Sequence, residues 1–400
     1  MRILLVQNMP DVPAYGGANR SNRIMLEQLA ARGHDCAVVA TVPAAEVREA
    51  VVRAGGDLAG EAPGVTRYVL RGVRGHAVHG SARLVREILA EAGRHHPDWI
   101  LVPSDDPGTL ALGAALTAAP RRVVYLVHTL QQLPFGPGAF YPSEAATALV
   151  RRAAGIVAVS RAARDHVRRW AGLPSHLIHP AVYGRPDRCG GDAVLMVNPC
   201  GYKGIDILLA LADRFPRLPF AVVPTWGTTT ADRERLARRP NIEVLAKTND
   251  MDAVYARARV VLTPSLWDET FGYTAVEAAL RGIPVLSSDV GGLREAKLGV
   301  PHLLPVRPIE RYGPGGEPVI PPQDVTPWSE ALDAVTGDPA HHADLAARSR
   351  AAAWEFVTGI DERALERYLR SLAPAPDATT VAGLSPHARA RLAARLDARR

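Results

Sequence analysis

Short, continuous apolar runs alternate with amphipathic segments along most of this sequence. The first two runs lie at 3–6 and 37–40, and the segment between them has the spacing of an amphipathic helix over 19–31. Further runs follow at 99–102, 123–127 and 156–159. Unbroken β-branched runs separated by helices are typical of a parallel sheet that is covered by helices on both faces. The pattern therefore predicts an α/β chain.

The same pattern stops and then starts again. Residues 181–192 are rich in proline and glycine and have no period, which predicts a linker. Apolar runs and helical segments resume at 193 and continue to 355. A chain of 400 residues, nearly half of them apolar, also exceeds what one hydrophobic core usually organises. We therefore predict two Rossmann-like domains, 1–180 and 193–355, whose parallel sheets face each other across a cleft.

The C-terminal part of the chain is predicted to be an extension of these domains. Residues 356–373 form a helix that we expect to pack back toward the N-terminal domain. Residues 374–400 begin with a proline-rich hinge and continue as a basic, alanine-rich helical tail. The proline-rich segment 301–327 has no period and is predicted to be a loop.

Cysteine usage and the lengths of the apolar runs indicate the cellular compartment of the protein. The three cysteines have no CxxC spacing, so a disulfide framework and a thiolate zinc site are disfavoured. The apolar run at the N-terminus is too short for a signal peptide, and no window approaches the roughly 20 apolar residues that cross a bilayer. We expect a soluble, cytoplasmic protein.

The charge of the chain indicates its ligands. The net charge is +6 and almost all of the basic residues are arginine, since lysine occurs only at 203, 247 and 297. This excess favours anionic ligands such as a diphosphate, and it is compatible with weak association with an anionic membrane surface. Nucleic acid is disfavoured as a partner because no basic stripe is interleaved with aromatic residues.

The most informative segment is 263–295. A strand ends near Thr263, and Gly272 leads into a helix whose first turn would present unpaired N–H groups to an anion such as a diphosphate. Glu269 precedes this turn and Glu277 follows one turn inside the helix, at the edge of its apolar stripe. A carboxylate there suits a ribose diol, because its oxygens accept two hydroxyl protons. The backbone N–H groups that we expect to bind the diphosphate belong to Phe271, Gly272, Tyr273 and Thr274.

In its order of residues this segment resembles the retaining nucleotide-sugar glycosyltransferases of the GT-B fold, called glycosyltransferase family 4. The signature of that family is two glutamates separated by seven residues, which stand here as Glu269 and Glu277 within PSLWDETFGYTAVEA. Two following elements, G-x-P-V-x-x-S and G-G-x-x-E, also have counterparts. They are Gly282, Pro284, Val285, Ser288, Gly291, Gly292 and Glu295.

The resemblance implies a function. A protein of this kind moves a sugar from a UDP- or GDP-sugar to a hydroxyl acceptor such as a glycan, a lipid or a small natural product. The anomeric configuration is retained, and neither a cofactor nor a metal is expected. Glu269 would bind the transferred sugar and Glu277 the ribose. The nucleobase would lie near 245–249, beginning at Leu245.

Three more positions match the family outside this segment. Gly16 and Gly17 follow the first strand, with Arg20 entering the next helix, and glycines there let the backbone approach the donor closely. Lys203 opens the first helix of the second domain, where an ammonium would stabilise the departing diphosphate. His128 follows a strand, at the position where the family places a histidine beside the sugar. The resemblance therefore assigns catalytic roles to His128, Lys203 and Glu269.

One departure concerns the diphosphate. The family often carries an arginine about five residues before the lysine, whereas this chain has Asn198, which offers only a neutral hydrogen bond.

The acceptor is expected on the first domain, with 104–107 and 131–141 as candidate loops.

Other readings of the sequence stay open. Asp250 and Asp252 match a DxD metal pattern, but their place at a helix start favours capping. A nicotinamide dehydrogenase would need a G-x-G-x-x-G after the first strand, which is absent. A nucleotide-sugar epimerase, a sugar-phosphate synthase or a non-catalytic sugar-nucleotide-binding protein would share much of the second domain.

Overall fold

The computed structural model describes residues 1–372 apart from 182, 184–189, 247, 249 and 314–316. The predicted tail 374–400 and most of the predicted linker 181–192 lie outside the described residues. Within them the chain is α/β and forms two sheets, the first ending at residue 177 and the second beginning at residue 193.

The first sheet is built on apolar runs that are buried on both faces. Its central strands carry almost only aliphatic and aromatic side chains, so both faces require a covering layer of helices. The strands are β1 (Arg2–Gln7), β2 (Asp35–Thr41), β3 (Asp57–Ala62), β4 (Val65–Leu70), β5 (Val73–Val78), β6 (Trp99–Pro103), β7 (Val123–Val127), β8 (Gly155–Ala158) and β9 (His176–Leu177). Their order is β3-β4-β5-β2-β1-β6-β7-β8-β9.

This sheet departs from the prediction at one edge. Strands β3, β4 and β5 form antiparallel pairs, so β4 runs against the other strands, and the sequence reasoning found none of the three. Strand β3 is exposed over nearly its whole length, and it therefore lacks the apolar pattern by which a strand is recognised. From β5 to β9 the pairing is parallel, as predicted.

Helices of the first domain cover this sheet, and the α6 N-terminus shows how the sequence defines them. The Ser160 hydroxyl accepts a hydrogen bond from the Ala163 N–H at 2.9 Å, which caps the helix. The helices are α1 (Gly16–Ala31), α2 (Ala44–Arg53), α3 (Leu84–His95), α4 (Leu110–Ala118), α5 (Glu144–Val150) and α6 (Arg161–Ala171).

The second sheet is parallel throughout its six strands. They are β10 (Ala193–Val197), β11 (Phe220–Val223), β12 (Ile242–Val244), β13 (Ala258–Thr263), β14 (Val285–Ser288) and β15 (Leu303–Leu304), in the order β12-β11-β10-β13-β14-β15. The remaining helices are α7 (Ile205–Arg214), α8 (Thr230–Ala237), α9 (Met251–Tyr255), α10 (Tyr273–Leu280), α11 (Leu293–Ala296), α12 (Thr326–Gly337), α13 (Pro339–Thr358) and α14 (Ala364–Ser371).

The last described helix, α14, leaves the second domain and packs on the first. Leu365 and Leu369 are buried in the core beneath β1 and β2, and the Tyr368 ring stacks on His176 with centroids 4.5 Å apart. This return of the chain packs the end of the second domain against the first domain. Among the described helices, none combines the length and apolar character needed to cross a membrane.

Candidate active site

The loop between β13 and α10 carries Glu269, and the helix that follows it carries Glu277. Gly272 has φ +119°, and a Cβ there would lie 2.7 Å from Leu293, so the sharp entry into α10 requires glycine. The helix begins at Tyr273 and has no side-chain cap, so the N–H groups of Tyr273 and Thr274 open its first turn. Phe271 is 1% exposed and its ring packs on Phe356, so Phe271 can serve a ligand only through its backbone.

Glu269 is held by a cation of the same domain. Its carboxylate forms an ion pair with Lys203 and accepts a hydrogen bond from the Ser265 hydroxyl. Burial alone would raise the pKa of Glu269, but the Lys203 charge and the hydrogen bonds from Lys203, Ser265 and Trp267 together hold the pKa below its ordinary value. The ammonium also lies 4.8 Å from the centre of the Trp267 ring. The two residues to which the sequence assigns catalytic roles in this domain therefore touch each other.

Glu277 is held by a cation of the other domain. The sequence placed this glutamate at the edge of the apolar stripe, whereas it is only 4% exposed. One carboxylate oxygen accepts a hydrogen bond from the Tyr255 hydroxyl at 2.7 Å, and the other pairs with the guanidinium of Arg20. Sequence reasoning gave Arg20 no role of its own. The one sequence feature that could have indicated a role for Arg20 is its position three residues after the paired glycines.

The paired glycines bring two helix N-termini together. Gly16 opens α1 with φ +76°, and the space where its Cβ would lie is empty. A Cβ on Gly17 would lie 2.7 Å from the ring of Tyr273, the first residue of α10. The absence of a side chain at Gly17 therefore makes room for the Tyr273 ring. The N-terminal turns of α1 and α10 are therefore neighbours across the cleft, and the dipoles of both favour an anion there.

His128 is the predicted catalytic residue of the N-terminal domain, and it is 7% exposed at the end of β7. Its Nε2 lies 2.7 Å from the Asn22 side-chain oxygen, and the Asn22 amide donates to the Gln7 oxygen at 3.1 Å. Burial lowers the pKa of His128 to about 4, so the imidazole is neutral near pH 7. A neutral histidine can position a hydroxyl but cannot serve as a cation.

Two predicted donor-binding residues have structural partners. Asn198 adopts φ +60° directly after β10, and its side-chain oxygen accepts a hydrogen bond from the Gly227 N–H at 3.1 Å. It shapes the turn beside Lys203 and adds no positive charge. Leu245 is half-buried against the second core, and its N–H bonds to the Val222 carbonyl at 2.8 Å. Two residues of the predicted base pocket, 247 and 249, lie outside the described residues.

The N-terminal domain forms hydrogen bonds with the loop that carries Glu269. The Leu130 N–H donates to the Thr270 hydroxyl at 3.0 Å, and the Gln131 amide donates to the Asp268 carbonyl at 2.8 Å. The Ser160 hydroxyl donates to the Thr270 carbonyl. Gln131 was predicted to begin an acceptor loop, and the structure gives it this contact between the domains.

The two aspartates of the DxD pattern, Asp250 and Asp252, have hydrogen-bond or ion-pair partners in the structure. The Asp250 carboxylate accepts a hydrogen bond from the Ala253 N–H at 3.1 Å and caps α9, and Asp252 pairs with Arg281. Among the residues that the structure describes, no group of three or more His, Cys, Asp or Glu side chains is arranged to hold a metal ion.

Two α/β domains that face a cleft, with strand-end loops of both at its walls, define the GT-B class of fold. Solved structures share it: a sucrose-phosphate synthase of Thermosynechococcus elongatus is 17% identical with a TM-score of 0.69, and the match covers 93% of this chain and 99% of that one. HepE of Anabaena, solved with UDP and glucose, is 18% identical with a TM-score of 0.68 over 93% of this chain and all of its own. At these identities the likeness shows the fold.

The sequence matches known families over most of its length. Residues 15–183 match Glycosyltransferase Family 4, and residues 194–333 match Glycosyl transferases group 1. The chain belongs to the family 4 glycosyltransferases of the GT-B fold, which confirms the family and the fold predicted from the sequence.

Curated relatives align over part of their length. The D-inositol 3-phosphate glycosyltransferase of Corynebacterium aurimucosum is 29% identical over 144 residues, which is 32% of this chain and 31% of the relative. That of Catenulispora acidiphila is 29% identical over 219 residues, 52% of this chain and 46% of its own. The gpi3 subunit of a Schizosaccharomyces pombe phosphatidylinositol N-acetylglucosaminyltransferase is 28% identical over 171 residues, 38% of this chain and 36% of its own. The chain therefore spans about a third to a half of these relatives.

Proposed function

We propose that the protein is a retaining glycosyltransferase that moves a sugar from a UDP- or GDP-sugar to a hydroxyl acceptor without a metal ion. One observation carries the proposal: both signature glutamates are paired with cations beside two helix N-termini, Glu269 with Lys203 and Glu277 with Arg20. A nucleotide sugar combines a diphosphate with two sets of hydroxyls. Cations and helix N-termini suit the diphosphate, and carboxylates suit the hydroxyls.

The diphosphate of the donor binds where α1 and α10 meet. Neither helix has a side-chain cap at its N-terminus, so backbone N–H groups of both first turns can serve an anion, and the dipole of each helix favours one there. The open space beside Gly16 leaves room for the phosphate oxygens. Lys203 supplies the nearest ammonium on the side of the second domain.

Donor binding exchanges the partners of both glutamates. The ribose hydroxyls take the Glu277 oxygen that Arg20 holds, while Tyr255 keeps the other oxygen oriented. Hydroxyls of the transferred sugar donate hydrogen bonds to Glu269 and replace its ion pair with Lys203. The Lys203 ammonium can then turn toward the diphosphate. The ion pairs preserve the charges of the site in the unliganded protein, because a buried charge without a partner is costly.

The reaction breaks the bond between the anomeric carbon and the β-phosphate oxygen, and it forms a bond from the same carbon to the acceptor oxygen. Negative charge grows on the phosphate as the first bond breaks, and Lys203 stabilises that charge. The acceptor hydroxyl attacks from the face that the phosphate leaves, and its proton passes to a phosphate oxygen. Attack on that face retains the anomeric configuration.

Two comparisons support the choice of substrates. The aligned relatives are named as glycosyltransferases of D-inositol 3-phosphate and of phosphatidylinositol, and HepE binds UDP and glucose in its crystal. A UDP-sugar is therefore the first donor to test, and cyclitols and glycosides are the first acceptors.

The test is incubation of the full chain with UDP- and GDP-sugars, with and without acceptors, followed by nucleoside diphosphate release. Release should need an acceptor, and proton NMR of the product should show the anomeric coupling of the donor. A matched control is Glu234→Gln, on the exposed face of α8, beside Glu277→Gln. Turnover without acceptor would identify an epimerase or a hydrolase instead. Donor binding without any turnover would identify a sugar-nucleotide-binding protein.

A further inference from the structure

The carboxylate of Glu295, the last residue of the G-G-x-x-E element, contacts segments outside its own domain. Its Oε2 accepts a hydrogen bond from the Arg161 N–H at 2.7 Å, and its Oε1 lies 2.6 Å from the Nε2 of His179. A carboxylate can only accept, so the Nε2 of His179 donates. Arg161 is the first residue of α6, and His179 lies between the two sheets. The Glu295 side chain is only 10% exposed, and hydrogen bonds to an ionised group are strong in such a place.

The α6 N-terminus receives this carboxylate as a cap from the other domain. The first N–H groups of a helix have no partner within it. Ser160 serves the Ala163 N–H, and Glu295 serves that of Arg161. The helix dipole also favours a negative charge at this end. Burial raises the pKa of Glu295, but the hydrogen bonds from His179 and the Arg161 N–H, with the nearby positive charge, hold the pKa below its ordinary value.

The segment that carries Glu295 also contacts the backbone of the catalytic loop. The Gly292 N–H, three positions before Glu295, donates to the Glu269 carbonyl at 2.7 Å. From the opposite side, the Ser160 hydroxyl donates to the Thr270 carbonyl. The α6 N-terminus therefore contacts the Glu269 loop twice, directly through Ser160 and indirectly through Glu295 and the start of α11.

His179 extends the same contact to the aromatic side chains behind the loop. Its ring centre lies 5.9 Å from that of Phe271, next to the start of α10, and 5.2 Å from that of Phe356 on α13. Glu295 therefore links three parts of the molecule: the first domain, the segment between the domains and the loop that carries Glu269.

We propose that Glu295 is a positioning residue for sugar transfer, which docks the α6 N-terminus and the segment between the domains on the Glu269 loop. Its carboxylate is occupied by Arg161 and His179, so its effect on the reaction passes through the backbone of Glu269. This inference rests on the proposed function and deepens it by naming what aligns the two domains. Nucleotide binding depends on the α10 N-terminus and Glu277, so loss of the Glu295 contact should slow transfer more than it weakens nucleotide binding.

The sharpest test removes a single N–H group. Proline is tolerated at the first position of a helix, and Ser160 is extended, with φ −154° and ψ 165°, as the residue before a proline must be. Arg161→Pro therefore keeps α6 and deletes the donor to Glu295. Its kcat should be about 10- to 150-fold below that of Arg161→Ala, the effect of losing a hydrogen bond to a charged group. Arg161→Ala keeps the N–H and loses only the side chain.

A matched control places proline at the first position of another helix of the same domain. Glu144 opens α5 behind the cap Ser143, and Glu144→Pro should leave kcat unchanged. The UDP Kd, measured by calorimetry, should change much less than kcat in Arg161→Pro. A UDP Kd that weakens by the full loss in kcat/KM would make the contact a support of the nucleotide site and overturn the proposal.

Two substitutions test the side chains. An amide has only one acceptor oxygen, so Glu295→Gln cannot accept both N–H groups and should lower kcat as well. His179→Gln offers an amide nitrogen in place of Nε2 and should retain more activity than His179→Ala. Glu355→Gln, on an exposed carboxylate of α13, is the control for Glu295→Gln and should behave like the wild type.

Hydrogen exchange measures the docking without any reaction. Amides of the peptide 288–296, which includes the Gly292 N–H, should exchange faster in Arg161→Pro than in Arg161→Ala. Equal exchange in the two variants, or faster exchange with an equal kcat, would overturn the proposal. A wild type that binds UDP and transfers no sugar, with the exchange difference still present, would instead refute the proposed function and leave the docking contact in place.

Discussion

The two domains contribute to the site in different ways. The C-terminal domain supplies most of its residues from one stretch of chain, in which Glu269 and Glu277 lie on a single loop-helix unit and Lys203 joins them from the turn before α7. The N-terminal domain supplies single residues from separate loops. They are Gly17, Arg20, His128, Gln131 and Ser160.

This difference decides what each domain can do alone. In the C-terminal domain the spacing along the chain already fixes the glutamates relative to the α10 N-terminus. In the N-terminal domain the carboxyl edge of the sheet and the contact with the other domain bring the residues together. Arg20 reaches Glu277 across 257 positions of sequence. Neither domain holds the charges of the site in balance without the other.

The strongest way to break this comparison is to remove the cation of the C-terminal domain. Lys203→Ala should lower kcat by about 10²–10³, because charge grows on the departing phosphate and one preorganised group that stabilises it is lost. Donor Kd should change much less, since backbone donors at the α10 N-terminus still hold the diphosphate. Kcat is followed by product release and Kd by calorimetry on the same folded variant.

Lys203→Arg is the control for that variant. It keeps the charge but aims a longer, planar group, so it should recover only part of kcat. A Kd that weakens by the full loss in kcat/KM, with kcat unchanged, would make Lys203 a ground-state anchor and contradict the assignment.

Glu277 tests the bridge between the domains. Glu277→Gln should weaken donor binding by about 1.5–3 kcal/mol, because a charged contact to the ribose is lost and the buried partner of Arg20 becomes neutral. Calorimetry with the nucleoside diphosphate measures this loss, with Glu234→Gln as the exposed control. An unchanged donor Kd in a folded variant would remove the ribose assignment.

The same contrast explains how much the sequence predicted. The βαβ pattern and the segment around Glu269 predicted the two domains and the signature glutamates, because their signals are local in the chain. The edge strand β3 has no apolar alternation, so no local signal existed. The ion pair of Arg20 depends on Glu277, which lies in a distant segment of the chain. The Cβ side of Gly17 lies against the Tyr273 ring, a neighbour that a pair of glycines in the sequence does not identify.

His128 offers a test that belongs to the N-terminal domain. Burial lowers its pKa to about 4, whereas an unfolded chain has the ordinary value near 6.5. Between these values the unfolded state binds more protons, so the free energy of unfolding falls as the pH falls. From pH 7 to pH 5 the loss due to this residue should be about 2 kcal/mol. Urea unfolding at both pH values should show a decline smaller by that amount in His128→Asn. An equal decline in the two proteins would contradict the buried, neutral imidazole.

Substitutions at Gly17 and Tyr273 test whether the N-termini of α1 and α10 are in contact. Gly17→Ala should cost about 1 kcal/mol in donor kcat/KM, because the new methyl group would press on the Tyr273 ring. Tyr273→Ala in the same chain should relieve that cost, and the double-variant cycle measures the coupling. Gly113→Ala is the matched control, since a Cβ there meets no atom within 4 Å. Additive effects of the two substitutions would show that α1 and α10 do not meet in the working enzyme.

The smallest expected effect is that of removing divalent metal. The site already assembles positive charge from the protein: Lys203 and Arg20 as side chains, and the N-termini of α1 and α10 as dipoles. The aspartates of the DxD pattern are engaged, Asp250 as a helix cap and Asp252 with Arg281. Turnover of the donor with its acceptor should therefore be the same before and after dialysis against EDTA, and added Mg²⁺ or Mn²⁺ should not raise it. The comparison is made on wild type and on Asp252→Asn, because a metal held by the DxD pattern would make the variant lose activity that excess metal restores. Complete loss in EDTA, reversed only by Mg²⁺ or Mn²⁺, would mean that the paired cations do not suffice for the departing diphosphate.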